Sequence, residues 1–468
     1  MAAGNPVTAT PAAADVVVAP SRPPRFRTAP LAIFEPRRFH DDKLGYLEAT
    51  AKVGPVVELQ FGPVRLYLLR EPADVARVLV QNAKNYGKDT IGFDALRIFL
   101  GNGLLTSEGE FWRRQRRIAQ PAFHHRRIEG FAETMVDLAD EEIGRIEEGR
   151  RSGPVDLAHH MTSLTQRVAG TTLLGADPDA DVDTVGRCVE VLNRYVDHIL
   201  MSPIRLPLWI PTPKNRRARW AGRTLDGIVA QMVKRRRAEK VAGDDLLSML
   251  LEARDEETGE GMTDAQLRDE VVTIFLAGHE TTANALAWTF YLLSTHPEHQ
   301  EAARAEVDRV LAGRRPTAAD VRNLGTVERI VKESMRLYPP AWFIERSVHE
   351  DDVVGGHRLR RGALVGLVPW VTHRLPHLWD DPERFDPDRF LPEREKARPR
   401  FAYFPFGGGQ RLCIGKAFAM MESVLVVSRM LQRYEIELAD GARIEPEPLV
   451  TLRPKHGVPV VLRPRSGT

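Results

Sequence analysis

One segment limits the fold more than any other: DAQLRDEVVTIFLAGHETTANALAWTFYLLSTHP, helical from Asp264 to about Thr295. Its apolar residues recur at three- and four-residue spacing, the period of an α-helix. About thirty residues make a helix of roughly 45 Å at 1.5 Å per residue. A helix this long and this apolar in its middle cannot lie on a surface. It must cross the core. At its centre, Ala277-Gly278-His279-Glu280-Thr281-Thr282 interrupts the apolar run. Gly costs about 1 kcal/mol against Ala inside a helix, and adjacent threonines bond back to carbonyls and distort it. Such a polar spot predicts that something passes or binds there. His279-Glu280 begins a zinc-type H-E-x-x-H, but the fifth position is Ala283, so the second ligand is missing. His279 reads as a packed or solvent-bonded histidine.

Elsewhere the pattern is mixed but ordered. VVELQFGPVRLYLLR, Val56 to Arg70, alternates around a Gly-Pro turn as a hairpin does. From Pro72 to about Tyr338 helical periodicity dominates. After Pro339-Pro340 short strands return, followed by a Pro-rich irregular stretch from Leu375 to Pro405; such stretches inside a compact domain are often functional. A final helix is expected from about Lys416 to Gln432, then terminal strands such as VPVVLRP. Residues 1 to about 25, rich in Ala and Pro, read as a disordered lead-in. They lack the charged start and apolar core of a signal peptide, and no run of 18 apolar residues follows. A formal net charge of +2 gives no argument for nucleic acid. The two cysteines, Cys188 and Cys413, lie too far apart in sequence to read as a disulfide framework, which points to a reducing cytoplasm.

Cys413 sits in FGGGQRLCIG, Phe406 to Gly415, behind three glycines and directly before the last helix. Glycines of this kind mark a bent backbone or a surface that something approaches closely. Amides of the turn and of the helix starting near Lys416 point partial positive charge at the sulfur, which favours a thiolate. Taken singly, the remaining signals are weak: Trp112 and Arg116 in FWRRQRR, Glu333 and Arg336 in KESMR, and PERF at Pro382 to Phe385.

Their order is informative. W-x-x-x-R, then A-G-x-E-T-T, then E-x-x-R, then P-E-R-F, then F-G-G-G-x-R-x-C-x-G resembles the cytochrome P450 haem-thiolate monooxygenases over roughly residues 30 to 465. The resemblance implies a mainly α fold with small β-sheets, one domain over residues 26–468, and noncovalent haem b with Cys413 as the iron ligand. Phe406, Gly407, Gly415 and Arg411 would border the haem, with Phe406 shielding the sulfur. Trp112, Arg116, Arg346 and Arg411 would hold its propionates, since arginine's fork of donors suits carboxylates. Glu280 and Thr281 match the family's acid–alcohol pair, which delivers protons. Glu333, Arg336 and Arg384 match its structural triad. Candidates for the substrate pocket are Phe93, Ile98, Phe99, Phe275, Ala277, Trp342, Phe343 and Leu449 to Thr451, with Val450 at their centre.

The expected reaction inserts one atom of O₂ into an apolar substrate such as a fatty acid, terpenoid, steroid or macrolide-like compound. Electrons would come from NAD(P)H through a separate reductase and a ferredoxin- or flavodoxin-type partner. Two alternatives are a peroxide-using or rearranging relative and a non-enzymatic haem sensor. Relatives of the first kind typically lack the acid–alcohol pair that this chain keeps, and a sensor has no need of one.

Overall fold

The computed structural model describes residues 21–26, 35–150, 153–175, 182–202, 205–239, 245–254, 259 and 261–465. The long helix runs from Asp264 to Thr295 without a break. A capping box starts it: Gln266 N–H donates to Thr263 Oγ1 at 3.2 Å, and Thr263 N–H donates to Gln266 Oε1 at 2.8 Å, satisfying donors the first turn leaves over. Thr281 and Thr282 bond back to the carbonyls of Ala277 and Gly278 at 2.8 and 3.0 Å. The helix crosses the largest apolar core, packing along Leu157–Leu174 and against the final helix, Lys416–Arg433.

The expected hairpin forms. Val56–Phe61 pairs antiparallel with Val64–Leu69 across a two-residue loop, where Gly62 has φ +58°, a region glycine enters without a Cβ clash. The hairpin extends into a five-stranded sheet through Leu364–Leu367, Ile344–Val348 and Tyr86–Gly87. Arg346 lies on the fourth of these strands, opposite Val365. This sheet and the core beneath it, with Phe401 and Phe404, brace the cysteine loop from the side.

A disordered lead-in is expected over residues 1 to about 25. Residues 1–20 lie outside the described residues, but Ser21 to Phe26 run beside the sheets. Glu58 N–H donates to Pro24 O at 2.9 Å, and Arg22 and Arg25 both pair with buried Glu58. Ionic partners for that carboxylate hold the segment, a contact that composition does not reveal.

The Glu333 cluster also differs from expectation. Glu333 and Arg336 form a fully buried two-pronged pair at 2.7 and 2.7 Å. The second guanidinium beside Glu333 is Arg389, at 3.4 Å, not Arg384. Arg384 contributes its carbonyl to Arg336 at 3.1 Å, while its own side chain is 65% exposed. The chain carries two successive Arg-Phe steps, PERF and PDRF, and the short 3₁₀ turn Pro387–Phe390 points the second one inward.

Candidate active site

Between the central helix, the sheet and the cysteine loop lies a cavity of about 1520 Å³. Cys413, Phe406, Gly407, Arg411 and Gly415 border it on one side; Ala277, Glu280 and Thr281 border it from the central helix.

The cysteine loop is shaped mainly from behind. A Cβ on Gly409 (φ +65°) would lie 1.9 Å from Leu79 O, and one on Gly408 would lie 2.4 Å from the Phe401 ring. Those two glycines are required by the protein packed on the outer side of the loop. Cys413 N–H donates to Phe406 O at 3.1 Å, closing the turn. The sulfur's exposure is to the cavity, and protein surrounds it otherwise. Burial pushes the Cys413 thiol up, against the downward pull of the Gly415 and Lys416 amides and the charges of Arg116 and Lys416. Cys188 is fully buried in the core, as expected of a packing residue.

Beside the loop is a corner of cations. Arg411 stacks 3.7 Å over the Trp112 ring and donates to Ser107 O at 2.9 Å. Arg116 donates to Leu412 O at 3.1 Å. Arg346 is buried and donates to Glu345 O at 2.7 Å. Lys88, which no motif marks, completes the group; it lies 4.9 Å over the Phe93 ring and donates to Leu105 O. Burial lowers Arg346 to about 10 and, with Arg346 adding repulsion, Arg411 to about 10 as well. Lys88 falls well below its ordinary value, first by burial and then by repulsion from Arg346 and Arg411. Nearby carboxylates are already engaged. Glu345 accepts from Thr90 and the amides of Gly92 and Phe93, and Glu108 accepts from Lys88 N–H at 2.6 Å. Clustered buried cations with so little compensation favour an anionic ligand.

On the central helix, Glu280 accepts from Asn193 Nδ2 and Thr451 Oγ1, both at 2.6 Å, and Thr451 in turn accepts from Asn284 at 3.0 Å. Burial pushes the Glu280 carboxyl above its ordinary range, while those hydrogen bonds pull it back. Thr281 lines the cavity one residue on. His279 points the other way: it is buried, bonds Phe275 O at 2.9 Å and is lowered to about 4 by burial. Of the two expected readings, packed or solvent-bonded, it is the packed one.

Of the proposed wall, Phe93, Phe99, Ala277, Trp342, Phe343 and Val450 line the cavity. Two candidates do not. Ile98 is 43% exposed, turned about 100° around the helix from Phe99. Phe275 packs in the core against the His279 ring at 5.2 Å, two residues before Ala277 and so around the helix from it. Asn193 was not foreseen either; it sits on Val182–Met201, a helix with no motif around it.

The profile of the cytochrome P450 family matches residues 35–459. The chain belongs to the cytochrome P450 family. Cyclooctatin synthase of Streptomyces melanosporofaciens is 40% identical over 413 residues, covering 87% of this chain and 89% of that protein. Cyclooctat-9-en-7-ol 5-monooxygenase of the same organism is 37% identical over 402 residues, covering 86% of each. The crystal structure of the cytochrome P450DA heme domain superposes with a TM-score of 0.86 at 28% identity, covering 96% of this chain and 98% of that one. The protein is a P450 monooxygenase, an oxidoreductase, and the family implies a haem iron cofactor. The residues present fit that group: a cysteine sulfur open to the cavity, with an under-compensated cationic corner beside it for two carboxylates. Among the described residues, no helix is long and apolar enough to cross a membrane.

Proposed function

We propose that this P450 inserts one oxygen atom from O₂ into an apolar, terpenoid-like substrate, with Cys413 ligating the haem and Glu280 and Thr281 handling protons. The observation that carries the reading is that Cys413, Glu280 and Thr281 open onto one cavity whose remaining walls include Phe93, Phe99, Trp342 and Phe343. Bound there, the haem supplies oxygen activation, and a thiolate ligand favours O–O cleavage. Trp112, Arg116, Arg346, Arg411 and Lys88 would hold its propionates. Glu280, raised by burial and pulled back by its hydrogen bonds to Thr451 and Asn193, is the acid placed to exchange protons with the cavity. Thr281 donates into its own helix, which leaves its oxygen free to accept from water. The apolar walls support the substrate class, as does the relative named for cyclooctat-9-en-7-ol, an unsaturated alcohol.

Electrons would come from NAD(P)H through a reductase and a ferredoxin- or flavodoxin-type partner in the cytoplasm. Arg113, Arg117 and Lys416 are exposed near the cysteine side and suit an acidic partner, steered over a Debye length of about 8 Å at physiological salt. Titrating the ferric protein with a panel of terpenoids, steroids and fatty acids should give the low-to-high-spin blue shift with the apolar ring compounds. Reconstitution with a ferredoxin, its reductase and NAD(P)H should then give a monooxygenated product. A spin shift with small charged metabolites alone would contradict the substrate class, and turnover driven equally well by peroxide without a reductase would contradict the electron route.

A further inference from the structure

The helix Ile91–Leu100 supplies Phe93, Leu96, Phe99 and Leu100 to the cavity wall, and its two ends are held in different ways. Phe99 and Leu100, in the last turn, belong to the largest apolar core, where the Phe99 ring meets Tyr195 edge-on at 5.6 Å. Phe93, in the first turn, is buried but belongs to none of the apolar core clusters among the described residues. Its ring lies instead between the cavity and two cations, Lys88 at 4.9 Å and Arg346 at 6.0 Å. What fixes this turn arrives from a distant strand, Ile344–Val348. Glu345 accepts from the Thr90 hydroxyl and from the amides of Gly92 and Phe93. Thr90 is also the helix's own N-cap, its oxygen accepting from Phe93 N–H at 3.2 Å. A carboxylate there faces the positive end of the helix dipole and takes up donors that a first turn leaves over. The approach is close enough to dictate a residue: a Cβ on Gly92 would lie 2.2 Å from Glu345 Oε1.

We propose that Glu345 is a positioning residue for the substrate wall: by capping the first turn of Ile91–Leu100 from outside, it sets where Phe93 stands and so which shapes fit the cavity. Core packing holds Phe99 whether or not the cap is made. Phe93 has no such support, and without the carboxylate the Thr90 hydroxyl and the Gly92 amide lose their acceptor. Balancing the charge of neighbouring Arg346 is the lesser role. Burial raises the Glu345 carboxyl, and each of the three hydrogen bonds pulls it back more than Arg346 does. The carboxylate therefore serves the helix before it serves the cationic corner. That the ligand shaped by this wall is an apolar substrate rests on the reading above; the capping of the wall does not.

The test is hydrogen–deuterium exchange of the haem-loaded full chain without substrate, so that its outcome does not depend on the substrate class. In Glu345→Ala the amides of residues 91–94 should exchange about tenfold faster or more, while those of the last turn and the carbon monoxide band stay as in wild type. Glu345→Gln keeps a carbonyl acceptor and should stay within about threefold of wild type. Gly92→Ala should loosen the same turn by displacing the carboxylate. It should add no loosening in Glu345→Ala, where the space is empty and alanine is the better helix former. Titration of the ferric protein with azoles reads the wall itself: Glu345→Ala should bind clotrimazole, a bulky triaryl azole, about tenfold more weakly, and imidazole as wild type does. Wild-type exchange in Glu345→Ala, a Gln variant no better than Ala, or equal losses for both azoles would overturn the proposal. So would loss of the carbon monoxide band, which would assign Glu345 to the cofactor corner. If Glu345→Ala does not fold, Gly92→Ala decides alone, and wild-type exchange of residues 91–94 in it overturns the proposal.

Discussion

The two sides of the cavity solve their electrostatics differently. On the central helix, the carboxylate that lines the cavity, Glu280, is matched within the protein by Asn193 and Thr451. On the cysteine side, Lys88, Arg346, Arg411 and Arg116 gather with their nearby carboxylates engaged elsewhere, and burial lowers all four. The first side is complete as folded. The second, with its clustered cations so little compensated, favours an anionic ligand. That asymmetry is a second ground, besides the cysteine, for the proposal that the cofactor's carboxylates sit on this side and that substrate and protons use the facing one.

The largest expected effect lies beneath the cysteine side. Arg336→Ala leaves Glu333 buried without its two-pronged partner and should destabilise the fold by about 3–5 kcal/mol, whereas exposed Arg384→Ala should stay within about 0.5 kcal/mol. Arg389→Ala should fall between them. Denaturant midpoints decide the order, and an Arg384 effect larger than that of Arg389 would restore the assignment made from sequence.

Next in size is the proton path. Glu280→Gln should slow turnover about 10²-fold, and Thr281→Ala should keep haem and substrate binding but divert reducing equivalents to peroxide. Asn193→Ala should act through Glu280. Burial already holds that carboxyl high, and losing a donor that pulls it down raises it further. The pH profile of product formed per NAD(P)H should therefore shift upward, which a packing defect alone would not produce. An unshifted profile would separate Asn193 from the acid.

A smaller effect sharpens the asymmetry itself. Arg411→Leu removes a charge-assisted partner of the cofactor, about 1.5–3 kcal/mol, and should speed haem loss by roughly 10- to 100-fold. The same change removes one of the mutually repelling cations, so the haem-free variant should melt no lower than haem-free wild type. A haem-free variant that melts well below wild type would mean that the corner is self-sufficient.

Sequence disclosed what depends on local spacing. The central helix and the cysteine loop each consist of contiguous residues whose pattern has one structural solution, and both stand where expected. What it missed depends on long-range contact. Lys88 follows a two-residue strand with nothing around it to mark a ligand, and Asn193 meets Glu280 across 87 positions. Arg384 and Arg389 sit in near-identical local contexts, and only the 3₁₀ turn tells them apart. Ile98 and Phe275 failed for a simpler reason: a helix turns about 100° per residue, so apolar character next to a lining residue does not bring a side chain to the same face.

The most direct test of the account is the reduced, carbon monoxide-bound spectrum of Cys413→Ser beside that of Cys188→Ser. Cys413→Ser should lose the intense band that gives cytochrome P450 its name, and Cys188→Ser should keep it at wild-type intensity. Loss of the band in Cys188→Ser with retention in Cys413→Ser would place the iron elsewhere and contradict the assignment of the whole site.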